Sequence, residues 1–399
     1  MKLSSRLQAV DPFYVMEMAK AAMTLAVSPA CDPAQGGEPM VFLNIGEPDF
    51  PAPDAVRAAA AACMSTGRTP YTPAAGLPAL RRAISGWYAT RFGVEVDPAR
   101  IVVTAGASAA LQLVTLALFE AGDEVLMPDP CYPCNRNFVS ATGARAVLLP
   151  TLAEQRFQPD AAAIAAAWTP RTRGVLLASP SNPTGTSVDA AGMRAILQAV
   201  RERGGVLIAD EIYLGLSYDA RYAHSALALG EDVISVNSFS KYFSMTGWRL
   251  GWVVLPPALV EPVERLASNL YICASSVAQQ AALACFEPEV LAQCEQRRGE
   301  LQRRRDLTLR GLSRAGLHVP VEPDGAFYAW ADCSAHAASS WDLCHRLVDQ
   351  AHVVLTPGRD FGPAHAERHL RLSFASSAPQ IELALQRLAR TLGEARREA

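Results

Sequence analysis

Nothing in the 399-residue chain approaches the roughly 20 consecutive apolar residues that a membrane-crossing helix needs. Its first 20 residues are interrupted by Arg6, Asp11, Pro12, Glu17 and Lys20, so no signal-peptide core is expected there. A surplus of positive charge is also missing. The balance is 36 Lys and Arg against 39 Asp and Glu, a net charge of -3, which argues against nucleic acid as the main partner. It leaves small anions open, because one or two placed arginines can hold those. The nine cysteines are odd in number and scattered, which suits reduced thiols in a cytoplasm better than a disulfide framework. Cys131 and Cys134 form a C-x-x-C, but no second pair stands at similar spacing, so no metal site is expected. Neither a Gly-Lys-Ser phosphate loop nor a G-x-G-x-x-G dinucleotide fingerprint occurs. There is no internal repeat and no low-complexity linker.

What is present is an ordinary globular composition, half apolar and 19% charged, in a chain too long for one core. Short β-branched runs alternate with amphipathic stretches, the pattern of an α/β domain with a largely parallel sheet sandwiched by helices. Strands are expected at Ile101–Thr104, Glu124–Met127, Ala146–Leu149, Gly174–Ala178, Val206–Ala209, Val233–Asn237 and Leu250–Val254. Helices are expected at Ser108–Glu120, Asp160–Ala167 and Asp189–Arg201, with Ser108 and Asp189 as starting caps and Gly204 after an end. The alanine runs Ala58–Ala62 and Ala161–Ala167 read as helix propensity. From about Pro256 the pattern shifts to charged helices, with Glu295–Arg314 as a solvated face. Short strands near Phe327–Ala331 and Leu370–Phe374 and a final helix from Pro379 complete a smaller α+β domain. The apolar run Met40–Ile45 suggests that the N-terminal arm joins it. The expected division is 1–45, 46–285 and 286–399.

Chemistry concentrates at the ends of the expected strands. Ser238-Phe239-Ser240-Lys241 is followed eight positions later by Arg249, inside Gly247-Trp248-Arg249-Leu250-Gly251. A lysine just past a buried strand is partly desolvated, which lowers its pKa and favours an imine with an aldehyde. Two serines and a forked guanidinium suit a phosphate, and Gly247 would allow a tight turn before Arg249. A surface Lys–Arg pair is the bland alternative. Asp210 follows Val206-Leu207-Ile208-Ala209, where a buried carboxylate needs a partner such as a cationic ring nitrogen; a helix cap would also explain it. Tyr213 could reach the same ring. Asn182, in Ser179-Pro180-Ser181-Asn182-Pro183-Thr184-Gly185, offers an amide at a strand end or merely marks a turn. Gly106, Ala107 and Ser108 join a strand to a helix start, where backbone N–H groups can meet a phosphate. Tyr132 could stack on a flat ring or pack in a core.

Taken in order, these pieces form a pattern. Gly46-Glu47-Pro48-Asp49-Phe50, Tyr71 to Gly76, Gly106-Ala107-Ser108, Tyr132-Pro133, Asn182-Pro183-Thr184-Gly185, Asp210-x-x-Tyr213, Ser238-x-Ser240-Lys241, Gly247-x-Arg249-x-Gly251 and Arg371-Leu372-Ser373 resemble class I/II aminotransferases of the aspartate aminotransferase superfamily. Any one piece is common; their order from Gly46 to Phe374 is specific. The resemblance implies pyridoxal 5′-phosphate as cofactor on the fold-type I architecture, with Lys241 as its Schiff-base lysine and proton carrier. Asp210 would hold the ring nitrogen, Tyr213 and Asn182 the phenolic oxygen, and Tyr132 the ring face. The Gly106–Ser108 turn, Ser238, Ser240 and Arg249 would hold the phosphate. Tyr71 would reach the neighbouring subunit's phosphate, which implies a homodimer. Arg371, Asn182 and the Gly46 backbone would grip the α-carboxylate of an amino acid or 2-oxo acid, and kinetics would be ping-pong.

The substrate side chain is less legible. Some aspartate-preferring members carry a lysine matching Ser108, and others an arginine from the partner's loop; residues 269–280 hold no Lys or Arg. Strict dicarboxylate specificity is therefore not expected. Phe13, Tyr14, Phe361 and Tyr271 could line an apolar pocket or belong to the core, and Arg359 could meet an anion or pair within its turn. A β-lyase on the same fold would share Lys241, Asp210 and Arg249. A non-catalytic protein that has kept the fold has no need for so complete an ionisable set, and no DNA-binding segment is expected before residue 40.

Overall fold

The computed structural model describes residues 3–4, 7–8, 10, 12–67 and 69–398. The reading of the first 20 residues as lacking a leader therefore falls partly outside the described residues. Seven strands form the central sheet: β2 (Ile101–Thr104), β3 (Glu124–Asp129), β4 (Arg145–Pro150), β5 (Thr172–Ala178), β6 (Val206–Asp210), β7 (Ile234–Ser238) and β8 (Gly251–Val254). Their order is β2-β8-β7-β6-β5-β3-β4, and β8 alone runs antiparallel to its neighbours. The near-continuous apolar runs have a plain cause: both faces are covered. Successive residues alternate between two core layers. Val175, Leu177 and Leu207 face one layer, whereas Leu176, Ile208 and Val236 face the other.

Helices α2 (Asp54–Ser65), α3 (Pro78–Phe92), α6 (Ala161–Ala167) and α7 (Ala190–Arg201) pack on the first face. The second face carries α4 (Ala107–Leu118), α5 (Pro133–Thr142) and α8 (Pro257–Leu270). The sequence pattern of α7 explains its docking. Met193, Ile196, Leu197 and Val200 recur at helical spacing and are buried. Asp189 caps its start by accepting from Gly192 N, and Gly204 follows its end at φ +65°.

The smaller layer contains β9 (Tyr328–Asp332), β11 (Thr356–Pro357) and β12 (His369–Ser373) in the order β11-β12-β9, antiparallel throughout. A second pair joins β1 (Val41–Phe42) to β10 (Val353–Val354) in parallel, so the apolar run near residue 40 does meet late-chain structure. Helices α10 (Pro288–Arg314), α11 (Ser340–Ala351) and α12 (Ala378–Glu398) cover these strands, with α1 (Tyr14–Ala26) beside α11.

Two expected boundaries move. Helix α10 starts at Pro288, not Glu295, because its first turns bury Val290 and Cys294 while only later turns carry the visible charge. Ser108 is not a cap. The N-cap of α4 is Gly106 at φ +86°, and Ser108 lies inside the first turn.

Candidate active site

Parallel strands point their carboxyl ends to one edge of the sheet, where ligands of open α/β sheets gather. Here the ends of β5, β6 and β7 supply Ala178, Asp210 and Ser238 to a single cavity of about 280 Å³. Its lining also includes Gly46, Ala107, Ser108, Tyr132, Asn182, Tyr213, Ser240, Lys241, Arg249 and Arg371. Of the residues expected from sequence to hold the cofactor or the α-carboxylate, two stand apart. Tyr71 is 78% exposed and does not line this cavity, and Gly106 acts through its backbone as described below.

Lys241 sits at the mouth of the segment after β7, where Nζ donates to the Gly46 carbonyl at 2.8 Å. Burial pulls its pKa down to about 8; Glu47 and Asp210 oppose that shift, and the Arg371 and Arg249 charges add to it. A free amine is thus accessible near neutral pH, which an ordinary exposed lysine does not offer. Asp210 is buried at the end of β6, and burial lifts its pKa to about 6. Its oxygens accept from Asn135 Nδ2 and Ile212 N, each at 3.3 Å, which is long for a carboxylate. Tyr213 shares a hydrogen bond of 2.9 Å with the Tyr328 hydroxyl, and burial pushes its own pKa well up, so it stays a neutral donor.

The corner suited to an anion is built from backbone as much as side chains. Helix α4 presents its N-terminal amides at Ala107 and Ser108. Arg249 Nη1 donates to the Thr246 carbonyl at 2.9 Å and reaches Ser240 Oγ at 3.5 Å. A Cβ on Gly106 would stand 2.5 Å from Arg249 Nη2, so the guanidinium can lie there because Gly106 has none. The expected tight turn falls on Arg249 itself, at φ +53°, and not on Gly247. A non-glycine residue in the left-handed region carries strain that surrounding structure must hold. Ser238 Oγ accepts from Ser240 N at 3.0 Å, which fixes the bend that aims Ser240 inward.

A second arginine arrives from the other sheet. Arg371 on β12 is 4% exposed. It donates to Asn182 Oδ1 at 2.7 Å, to the Asn44 carbonyl and to Thr356 Oγ1 at 3.3 Å. All three hydrogen-bonded acceptors are neutral, so no carboxylate is bonded directly to this guanidinium, although the Asp360 charge acts on it from nearby. Such a site favours an arriving anion. The Tyr328 and Phe361 rings flank the guanidinium at 4.4 and 4.8 Å.

Several sequence expectations need correction. Of the four aromatics proposed for an apolar pocket, Phe13 lines the cavity; Phe361 is core beneath Arg371, and Tyr14 packs edge-on to Trp341. Tyr271 lies outside it. Arg359 lies over Trp341 and reaches Glu367 at 3.4 Å, a structural pairing outside its own turn. Cys131 is buried and Cys134 half-buried; among the described residues no group of three or more His, Cys, Asp or Glu can share a metal ion. Sequence reasoning overlooked Asn135, Tyr328, Asn44 and Met16. Asn135 was findable, since it stands three residues after Tyr132 at the start of a helix and so shares its face. Tyr328 and Asn44 reach the site only through tertiary packing.

Comparisons with known proteins agree with this geometry. Residues 38–388 match the family model for aminotransferase class I and II. The chain is 40% identical over 380 residues to a valine–pyruvate aminotransferase of Mycobacterium tuberculosis, covering 95% of this chain and 96% of the relative. It is 34% identical over 396 residues to the aspartate/prephenate aminotransferase of Thermus thermophilus, covering 98% and 99%. A crystal structure of an aminotransferase from Mycobacterium tuberculosis superimposes with a TM-score of 0.92 at 38% identity, over 99% of this chain and 100% of that one. A shared cavity lined by Lys241, Asp210, Arg249 and Arg371, with similarity along the whole length, leads to one conclusion: the chain belongs to the aminotransferase class I and II family.

Proposed function

We propose that this aminotransferase moves an amino group from an L-α-amino acid to a 2-oxo acid in two half-reactions, with pyridoxal 5′-phosphate as carrier. One observation carries the reading: an amine of lowered pKa and a buried carboxylate face one cavity that Arg249, just before β8, and Arg371, on β12, also line. The donor set fits the cofactor. Asp210 has room for a stronger donor than its two bonds of 3.3 Å supply, as a protonated ring nitrogen would be. The α4 amides, Ser238, Ser240 and Arg249 suit a phosphate dianion. When bound, the cofactor supplies an aldehyde that captures amines and a cationic ring that withdraws electrons.

The chain's own residues then have distinct tasks. Lys241 Nζ would be the covalent anchor; as a free neutral amine it would take the α-proton, and as the resulting ammonium it would give that proton back. Asp210 would keep the ring nitrogen protonated. Tyr213 and Asn182 would hold the phenolic oxygen, and Tyr132 would cover one ring face. Arg371, with Asn182 and the Gly46 backbone, binds the α-carboxylate and so fixes which substrate bond faces Lys241.

The cavity has an apolar share of lining as well. Phe13, Val15, Met16, Ile45 and Leu111 line it, and its cations are Lys241, Arg249 and Arg371. This supports neutral substrate side chains over strict dicarboxylate specificity, in keeping with a relative named for valine and pyruvate. The β-lyase reading is not favoured, since the relatives above are named aminotransferases. We also propose a homodimer. Gln279 ties Thr72, beside the exposed Tyr71, to the turn at Ala274, and Leu270 and Ile272 are exposed apolar residues on that same side. The proposed domain division is 1–45, 46–285 and 286–399, supported by the β1–β10 pairing and by a central sheet contained within residues 101–254. Nine thiols, none in a disulfide, suit the cytoplasm as location.

Half-reactions with a panel of amino acids, followed by loss of cofactor absorbance, test the function. Transfer to pyruvate or 2-oxoglutarate is expected; pyruvate and ammonia released from cysteine-type substrates without an acceptor would overturn it. Two further results are expected. Arg371→Ala will lower kcat/KM about 10²-fold, mostly through KM, for every α-amino acid while cofactor stays bound, as follows from leaving a carboxylate without its charged partner. Cofactor attachment to apo-protein will also depend on pH in a defined sense. The neutral amine is the nucleophile, so below about 8 the rate will fall about tenfold per pH unit, and above it will level off. A rate still rising steeply toward pH 10 would show an ordinary lysine.

A further inference from the structure

Helix α1 begins without a cap of its own. Its N-cap residue is Phe13, which has no side-chain acceptor, yet the first amides of any helix need partners. They find one 346 residues away. Tyr14 N donates to Asp360 Oδ1 at 2.9 Å, and Val15 N bonds the same carboxylate. Asp360 is 1% exposed, and its Oδ2 is buried with no hydrogen-bond partner among the described residues. Its carbonyl accepts from Arg136 Nη2 at 3.1 Å, which locks the loop from the α5 side. The charged and titratable groups facing the carboxylate are Arg371 from β12 and Arg136 and Cys134 from α5.

This carboxylate sits between two functional parts. Its neighbour Phe361 lies 4.8 Å beneath the Arg371 guanidinium. The turn it caps carries Phe13, Val15 and Met16 into the cavity. Phe13 is 37% and Met16 55% exposed, so the chain itself leaves much of these two side chains uncovered, and Phe13 meets Tyr132 edge-on at 6.4 Å. Burial raises the Asp360 pKa to about 6, with the Arg371 charge opposing, so the carboxylate is ionised at pH 8 and complements the helix N-terminus.

We propose that Asp360 is a positioning residue for substrate selection: it pins the first turn of α1 so that Phe13 and Met16 roof the space for the substrate side chain, favouring extended apolar side chains over short ones. The proposal rests on the reading of this cavity as an amino-acid site.

The test compares leucine with alanine as donors for the holoenzyme at pH 8. Alanine's single methyl group does not reach the roof. In Asp360→Ala, kcat/KM for leucine will fall about tenfold, as loss of a helix cap implies, with the change in KM and not in kcat. The alanine value will stay within about twofold, and cofactor content will be unchanged. Asp360→Asn keeps an acceptor for Tyr14 N and will restore most of the leucine value. Met16→Ala will reproduce the leucine loss, and combining it with Asp360→Ala will add little, because both act on one roof. Equal losses for leucine and alanine, no loss for either, failure of Asn to rescue, or full additivity of the two changes would each overturn the proposal. Wild-type holoenzyme inactive on both donors would remove the underlying reading, a result distinct from lost selectivity.

Discussion

Lys241→Ala protein will take up pyridoxal 5′-phosphate but will not keep it through borohydride treatment and denaturation, and its turnover will fall about 10⁴-fold or more. Two separate losses produce this effect. The covalent anchor disappears, and so does the base that handles the α-proton. No neighbour can substitute. Tyr213 is held neutral by burial and bonded to Tyr328, and Asp210 lies buried at the end of β6 with Asn135 and Ile212. Binding itself should survive, because the corner proposed for the phosphate comprises α4, Ser238, Ser240 and Arg249, none of which relies on the lysine. The truncation also leaves a void beside Gly46, where Nζ now donates to the carbonyl. Small primary amines added to the solution will fill it and recover part of the turnover. Activity within tenfold of wild type would remove Lys241 from the mechanism.

Asp210→Ala will lower kcat by about 10³-fold, the scale expected when a buried charge-assisted partner is removed from one side only. The same change will affect the apo-protein in the opposite direction. Burial has raised the Asp210 pKa from about 4 to about 6, so the folded state binds this proton more tightly than the unfolded state does. Stability associated with this group is therefore present at low pH and lost as pH rises through that interval. Above pH 6 the ionised carboxylate costs the apo fold on the order of 3 kcal/mol, which Asp210→Ala relieves in part against the small cavity it creates. Apo Asp210→Asn, which keeps the volume, will melt a few degrees higher than wild type at pH 8 and no higher at pH 4. Calorimetry at the two pH values checks this. A lower melting temperature for the Asn variant at pH 8 would mean that Asp210 serves the fold and not the cofactor.

That opposition between stability and activity is why the carboxylate was conspicuous in sequence. A charged residue directly after Val206-Leu207-Ile208-Ala209 is costly unless it is paired or caps a turn, and Lys241 after the β7 run drew notice in the same way. The central strands were legible for a related reason. Sheet residues buried on both faces leave uninterrupted apolar runs, and all seven were found to within a few residues. Short-range signals failed where several weak cues compete. Ser108 looked like a cap because serine often is one, but the left-handed turn at Gly106 sets the start of α4 one residue earlier and lets Arg249 approach. The charge of α10 hid its first two turns, whose buried Val290 and Cys294 stand at helical i, i+4 spacing but are too few to outweigh it.

By itself the sequence determined the fold class, the family and the set of reactive groups, because each is written in local patterns: apolar runs, strand-end polar residues and their order. Tertiary structure alone decided which of those groups meet, that neutral acceptors surround Arg371, and that Asp360 caps a helix 346 residues distant. The reason is physical. Desolvation and hydrogen bonding depend on neighbours in space, and β12 and α1 contribute residues to this cavity that no spacing along the chain connects to Lys241.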